Sequence, residues 1–294
     1  MTSDAASTPV LRRLLRFLDA IKFQETVFAL PFAYSGMVLA GRGLPGWDPF
    51  LWITVAMVGA RTLGMAANRL IDRRIDAGNP RTAKRHLPQG TLKTADMAAL
   101  CAVAAVVFLL AAWRLNTLAL ALAPVAAGFL ILYPFTKRFT WAASFFLGWA
   151  LAIAPSAAWI GVTGSLAWQP VLLSCAVACW AASFDILYHA QDFDYYTKNG
   201  LHSVSQQFGV RAAFRTARVL DVVALACLVA LGVWMGLAFP YFVSCVVAAA
   251  FMVYKHSLVS PVDMSRVGVA FFRINAYVSL TMFLGTLISV LAFQ

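Results

Sequence analysis

An all-α, polytopic membrane fold is what this sequence predicts, and three observations carry the prediction. Hydrophobic residues make up 62% of the 294 positions and charged residues only 12%, against about 25% charged in an ordinary soluble domain. The mean hydropathy is +0.78, more apolar surface than a water-soluble chain could bury, so a bilayer must serve as part of the solvent. The apolar residues also fall into runs of about 20, the length a helix needs to cross the hydrocarbon core. Helices follow rather than a barrel, because barrel strands are short segments of alternating polarity.

Taken in order, the runs give nine expected spans, at approximately 24–44, 50–69, 95–113, 117–134, 141–161, 170–189, 215–236, 238–255 and 270–292. Residues 1–23 form a cytoplasmic lead with an interfacial, Arg-rich segment. Asp4 precedes the basic residues and no apolar stretch with a small-residue cleavage site follows, so a cleavable signal is not expected. Residues 24–294 make a single transmembrane domain. With the N-terminus in the cytoplasm, 20 of the 23 Lys and Arg fall on that side, among them Lys255 and Arg273. Arg42 and Arg114 fall opposite, and Arg61 lies inside a span. This bias predicts an N-in, C-out orientation in a bacterial cytoplasmic membrane. It also accounts for the net charge of +11 without nucleic acid, because the basic residues sit in short segments between spans. Of the five cysteines, Cys101, Cys175, Cys179 and Cys245 lie in apolar runs and read as small buried thiols.

Two expected cytoplasmic loops, 68–90 and 185–200, begin on acidic helix ends. In the first, Asn68, Asp72 and Asp76 are spaced i, i+4, i+8 and stack along one helical face. Carboxylates four residues apart repel unless a cation lies between them. Mg²⁺ suits that gap, because it takes carboxylate oxygens and leaves positions for water and substrate phosphates. Arg61, two turns earlier on the same stripe, is too deep in a span to sit without an anionic or carbonyl partner. In the second loop, Asp185 and Asp192 lie seven apart, two turns on one face if the helix continues. Asp194 is off that stripe, Tyr188 and His189 fall between, and Tyr195, Tyr196 and Lys198 follow, with Gly200 ending the segment.

A third connection, Tyr133-Pro134-Phe135-Thr136-Lys137-Arg138, brings two cations to a helix end. There Lys137 or Arg138 can lie over a diphosphate, and the Tyr133 ring can face a positive intermediate. Polar helix ends often only face water, and basic ones often only set topology. Two acidic clusters, an embedded arginine and adjoining cations together are what a diphosphate bridged by two or more Mg²⁺ ions requires.

On these residues the chain resembles the UbiA superfamily of intramembrane aromatic prenyltransferases, over nearly its whole length. One signature is Arg61, Asn68, Asp72 and Asp76 followed by Gly78-Asn79-Pro80-Arg81-Thr82. The other is Asp185, Tyr188, Gln191-Asp192 and Gly200-Leu201-His202-Ser203, with the YPxxKR stretch between them. The resemblance implies nine transmembrane helices around a central cavity, Mg²⁺ as cofactor, and a polyprenyl diphosphate and an aromatic acid as substrates. Ionisation would give an allylic cation that an electron-rich ring carbon attacks, releasing pyrophosphate. The implied metal ligands are Asn68, Asp72, Asp76, Asp185 and Asp192. Asp194 joins them only if a loop bend brings it in, because the family's further Asp falls at Tyr196 here. Arg61, Lys137, Arg138, Tyr188, Lys198 and His202 are implied on the substrate side, with Tyr133 and Lys137 at the reacting centre. The stretch LHSVSQQFG resembles the branch that prenylates 1,4-dihydroxy-6-naphthoate, with 4-hydroxybenzoate as the alternative acceptor. Rival readings are a secondary transporter of organic anions, which would also bury ionisable groups, and a structural or quinone-binding subunit.

Overall fold

The computed structural model describes residues 9–23 and 26–293, and every regular element among them is helical. A short amphipathic helix α1 (Pro9–Ala20) precedes α2 (Thr26–Gly41), α3 (Trp47–Gly78), α4 (Thr94–Leu115) and α5 (Thr117–Leu132). A 3-10 segment, Tyr133–Arg138, continues α5 and leads to α6 (Ala143–Thr163) and α7 (Trp168–Ala190). Two short helices, α8 (Phe193–Lys198) and α9 (Val204–Phe208), precede α10 (Val210–Met235) and α11 (Phe239–Ser257). One turn, α12 (Val267–Val269), passes through a π-helical stretch, Ala270–Ile274, into α13 (Asn275–Phe293).

Among the described residues, eight helical segments are long and apolar enough to cross a membrane. They fall on eight of the nine expected spans, and the chain is an all-α polytopic membrane protein. The remaining span, 24–44, holds α2. Its 16 residues rise about 24 Å, short of the roughly 30 Å hydrocarbon core. Residues 1–8 of the expected lead lie outside the described residues.

Small residues let these helices approach closely, as membrane bundles require. A Cβ on Gly36 of α2 would stand 2.4 Å from the Pro155 carbonyl oxygen of α6, and one on Gly148 of α6 would stand 2.4 Å from that of Ala178 in α7. Both positions therefore admit only glycine without a shift of backbone. Trp180 of α7 sits at the centre, its ring 5.1 Å from Phe32 and 5.0 Å from Phe184. Large apolar side chains such as Trp149, Val246 and Val253 face outward instead, where lipid replaces water as their surroundings.

Helix α3 matters most for the site. Its 32 residues span about 48 Å, so its last turns reach beyond the hydrocarbon and carry Asn68, Asp72 and Asp76 with them. One charge expected on the cytoplasmic side, at the end of span 238–255, proves to be buried. Lys255 lies in the last turn of α11 with 1% of its surface exposed. Its Nζ is 2.7 Å from Asp221 Oδ2 of α10 and donates to Ser183 Oγ of α7 at 3.2 Å. A hydrophobic helix presents so costly a cation only to a carboxylate buried with it.

Candidate active site

The acidic face of α3 opens on a cavity of about 550 Å³, lined also by Arg61, Tyr133, Lys137, Asp185, Tyr188 and Asp192. Asp72 is buried, and Lys137 Nζ pairs with its Oδ2 while Arg138 Nη2 lies 3.3 Å from Oδ1. The YPFTKR segment makes this contact possible. Pro134 near its start cannot donate a helical hydrogen bond, and the tight 3-10 turn swings both cations onto the end of α3. Asp76 accepts from Arg85 Nη1 on both oxygens at 2.7 Å.

The second cluster comes together by a route the sequence did not suggest. Helix α7 stops at Ala190, so Asp185 and Asp192 do not share a continuous helical face; a turn carries Asp192 back toward the loop after α3. There it accepts from Asn79 Nδ2 at 3.0 Å and from Arg81 Nε and Nη2 at 2.9 and 2.5 Å. The Arg81 guanidinium lies 4.4 Å from the Tyr188 ring centroid and also donates to the Tyr188 hydroxyl. Tyr195 closes the junction by donating its hydroxyl to the Ile75 carbonyl at 2.8 Å. Two motifs more than a hundred residues apart thus share one mouth.

Electrostatics hold these groups in defined states. Burial alone would raise the Asp192 carboxyl, but hydrogen bonds and charge from Arg81, with Asn79 adding a donor, bring it below its ordinary value. Tyr196 stands where the resemblance implied a further Asp. Burial first, then Asp192, Asp185 and Asp72, raise its phenol well above its ordinary value, so it is a neutral hydrogen-bonding group and no anionic ligand. Asp185 is buried on α7, with His189 Nδ1 3.0 Å from Oδ2, yet that oxygen makes no hydrogen bond. An unsatisfied buried carboxylate oxygen is costly and leaves a position open to a cation.

The remaining expected residues stand outside the cavity lining. Asp194 is exposed in the first turn of α8 and Lys198 is exposed in its last. Arg138 reaches the site only through Asp72. The His202 backbone N–H donates to the Lys137 carbonyl at 2.8 Å, so this residue tethers the cationic segment. Asn79, Arg81 and Arg85 were not singled out as site residues. Asn79 and Arg81 stood in the first signature without a role, and Arg85 had only its position a few residues beyond the acidic row as a signal.

Mg²⁺ fits what is present. The donors are hard oxygens from the end of α3 and from the end of α7 with the turn after it, and they line one cavity. Among the described residues no three His, Cys, Asp or Glu side chains gather tightly enough to hold an ion by themselves. Mg²⁺ commonly takes one or two carboxylates and completes its shell with phosphate and water.

Residues 29–285 match the model of the UbiA prenyltransferase family. The chain belongs to that family. It is 30% identical over 253 residues to the 4-hydroxybenzoate octaprenyltransferase of Vibrio campbellii, covering 86% of this chain and 88% of that one. The Aliivibrio fischeri protein of the same name is 31% identical over 255 residues, covering 87% and 89%. A UbiA homolog from Aeropyrum pernix K1 has the same fold at a TM-score of 0.83 and 29% identity, covering 91% of this chain and 98% of the other. A more distant UbiA homolog from Archaeoglobus fulgidus, solved bound to DMAPP and Mg²⁺, shares the fold at a TM-score of 0.65 and 16% identity, covering 91% and 99%. The chain is therefore an enzyme of the prenyltransferase class, and the transporter and structural-subunit readings are set aside.

Proposed function

We propose that this enzyme transfers a polyprenyl group from its diphosphate to 4-hydroxybenzoate or a close aromatic relative, with Mg²⁺ required. The carrying observation is the convergence of Asn68, Asp72, Asp76, Asp185 and Asp192 on one cavity with Lys137, Arg81 and Arg85 beside them. The acceptor differs from the dihydroxynaphthoate first expected. That expectation rested on LHSVSQQFG, which lies outside the cavity lining, whereas relatives alike over most of the chain bear the hydroxybenzoate name.

Bound Mg²⁺ would supply charge that links the acidic rows to the diphosphate oxygens and stabilises the leaving group. The chain's own residues do the rest. Lys137, Arg81 and Arg85 are each paired to a carboxylate and stand ready to neutralise pyrophosphate as the allylic C–O bond breaks with its electron pair. Arg61 orients an anionic group from deeper in the bundle. The Tyr133 ring faces the carbon that becomes cationic. A ring carbon of the acceptor then forms the new C–C bond and loses its proton. We also read α2 as a ninth span, with the acidic mouth facing the cytoplasm, supported by its apolar stretch Ala29–Gly41 and the distribution of basic residues.

Purified enzyme in detergent or lipid, given a polyprenyl diphosphate and 4-hydroxybenzoate, is expected to form the prenylated acid only with Mg²⁺ and to stop on chelation. Product formation indifferent to chelator, or found with 1,4-dihydroxy-6-naphthoate alone, would overturn the proposal.

A further inference from the structure

Along an edge formed by Ala29, Arg61, Tyr133 and Leu151 the mouth cavity meets a second, apolar one of about 350 Å³. Two further polar side chains line the mouth cavity and have no place in the mechanism above, Trp180 of α7 and Asn275 of α13. Trp180 stands five residues before Asp185, about 7.5 Å deeper along α7. Its ring lies 5.1 Å from Phe32, one turn along α2 from Ala29 on that edge. The indole is buried, and its Nε1 makes no hydrogen bond. A buried donor without an acceptor is costly, and phenylalanine would fill a purely packing role without that cost. Asn275 reaches the cavity by another route. The residues before it, Ala270–Ile274, form a π-helix, a wide turn that is rare and recurs at functional sites. The Asn275 side chain is also buried, and an amide inside a membrane bundle is kept where it has a polar group to meet. The π-helical stretch packs on α7, and Val278, one turn beyond Asn275, belongs to the same buried cluster as Trp180 and Phe184. The two polar side chains thus flank one part of the cavity wall from two helices.

We infer that Trp180 and Asn275 recognise the phenol of the aromatic acceptor: the indole N–H donates to the phenol oxygen, and the phenol O–H donates to the Asn275 amide oxygen. The inference rests on the hydroxybenzoate acceptor proposed above. Chemistry favours a phenol over the other oxygens of the two substrates. A phenol donates once and accepts at its oxygen, which an indole and an amide match. Both residues are neutral, and among Leu147, Leu151 and Phe184 they could not offset the charge of a buried carboxylate or diphosphate. Hydrogen bonds on both sides of the phenol fix the direction of the ring, and so hold the activated carbon beside the hydroxyl toward the allylic carbon. Neither residue exchanges a proton in this role.

The test compares 4-hydroxybenzoate with 4-methoxybenzoate, whose ether oxygen accepts a hydrogen bond but donates none. Wild type, Asn275→Leu and Trp180→Phe are measured with saturating Mg²⁺ and one polyprenyl diphosphate. Asn275→Leu is expected to lower the kcat/KM preference for the hydroxy over the methoxy acid by about tenfold or more, with KM for the donor unchanged. Trp180→Phe is expected to lower kcat/KM for both acids by a similar factor, again with donor KM unchanged. It keeps the inference open to refutation if Asn275→Leu does not fold. A wild-type preference in folded Asn275→Leu, or a loss in Trp180→Phe that falls on donor KM, would overturn the inference and leave the proposed acceptor standing. Wild type that turns over neither acid would overturn the acceptor and the inference together.

Discussion

Two buried sets of ion pairs in this protein use the same chemistry to opposite ends. At the mouth, Asp72 pairs with Lys137, Asp76 with Arg85 and Asp192 with Arg81, and the cationic side chains keep 13%, 24% and 27% of their surface exposed. Between α7, α10 and α11, Lys255 pairs with Asp221 while keeping 1%, and His256 Nε2 lies 2.7 Å from the same oxygen. The mouth pairs border a cavity, so an incoming anion can take the cation and a metal ion the carboxylate. The inner cluster borders neither cavity and has nothing with which to exchange. Access, rather than charge, separates a reactive ion pair from a structural one.

The largest effect expected from this contrast is at the mouth. Asp72→Ala and Asp192→Ala should each lower kcat/KM by about 10³-fold or more, roughly 4 kcal/mol or above, with folded protein still in the membrane. Steady-state kinetics beside a thermal-unfolding profile would decide it. Near-normal turnover in either variant would remove that residue from the site.

The inner cluster should respond in the other currency, stability. Lys255→Met removes the lysine cation and leaves the Asp221 carboxylate, whose Oδ1 already lacks a hydrogen bond, with only His256 beside it, and should destabilise the fold by about 3 kcal/mol. The molecules that do fold should keep the wild-type kcat. Adding Asp221→Leu should recover much of the loss, because a pair of apolar side chains carries no desolvation penalty. A fall in kcat with unchanged unfolding would erase the distinction between the two regions.

Legibility in the sequence divides along similar lines. Eight spans could be read because about 20 consecutive apolar residues have one physical use, and the row Asn68, Asp72, Asp76 because its spacing is helical and local. The partners of those acids were not legible. Arg85 pairs with Asp76 and Arg81 with Asp192 only after a turn folds back over the mouth, and no periodicity reports such a turn. The expected span 170–189 ends within a residue of α7, but whether the helix ran on past it stayed open, and with it the route by which Asp192 reaches Asn79. The burial of Lys255 at the end of its span was not legible because its carboxylate lies 34 residues earlier, on a different helix.

Between these extremes lies Arg81, which touches Asp192 without being a carboxylate itself. Arg81→Gln should weaken turnover about tenfold to a hundredfold, as expected from losing charge-assisted hydrogen bonds worth about 1.5–3 kcal/mol. Most of the change should be in KM for the diphosphate donor, if the guanidinium transfers to the substrate as proposed. A change confined to KM for the aromatic acid would place Arg81 on the acceptor instead.

The smallest effect is the pH dependence of that pair in ligand-free enzyme. Burial pushes the Asp192 carboxyl up from its ordinary 3.8, but the Arg81 and Asn79 interactions outweigh it and bring it down. A carboxyl lowered by folding contributes stability above its unfolded value and loses it as pH falls through the lowered one, below about 4. Wild type should therefore show no Asp192-linked change from neutral pH to about 4. In Arg81→Gln the main downward influence is gone and burial prevails, so protonation relieves an uncompensated charge and this variant gains stability as pH falls. The Tm gap between wild type and variant should thus narrow steadily on acidification. Asp72, Asp76 and Asp185 are common to both proteins and cancel in the difference. A gap that stays constant from pH 7 to about 4 would show that Arg81 does not hold Asp192 in its charged form.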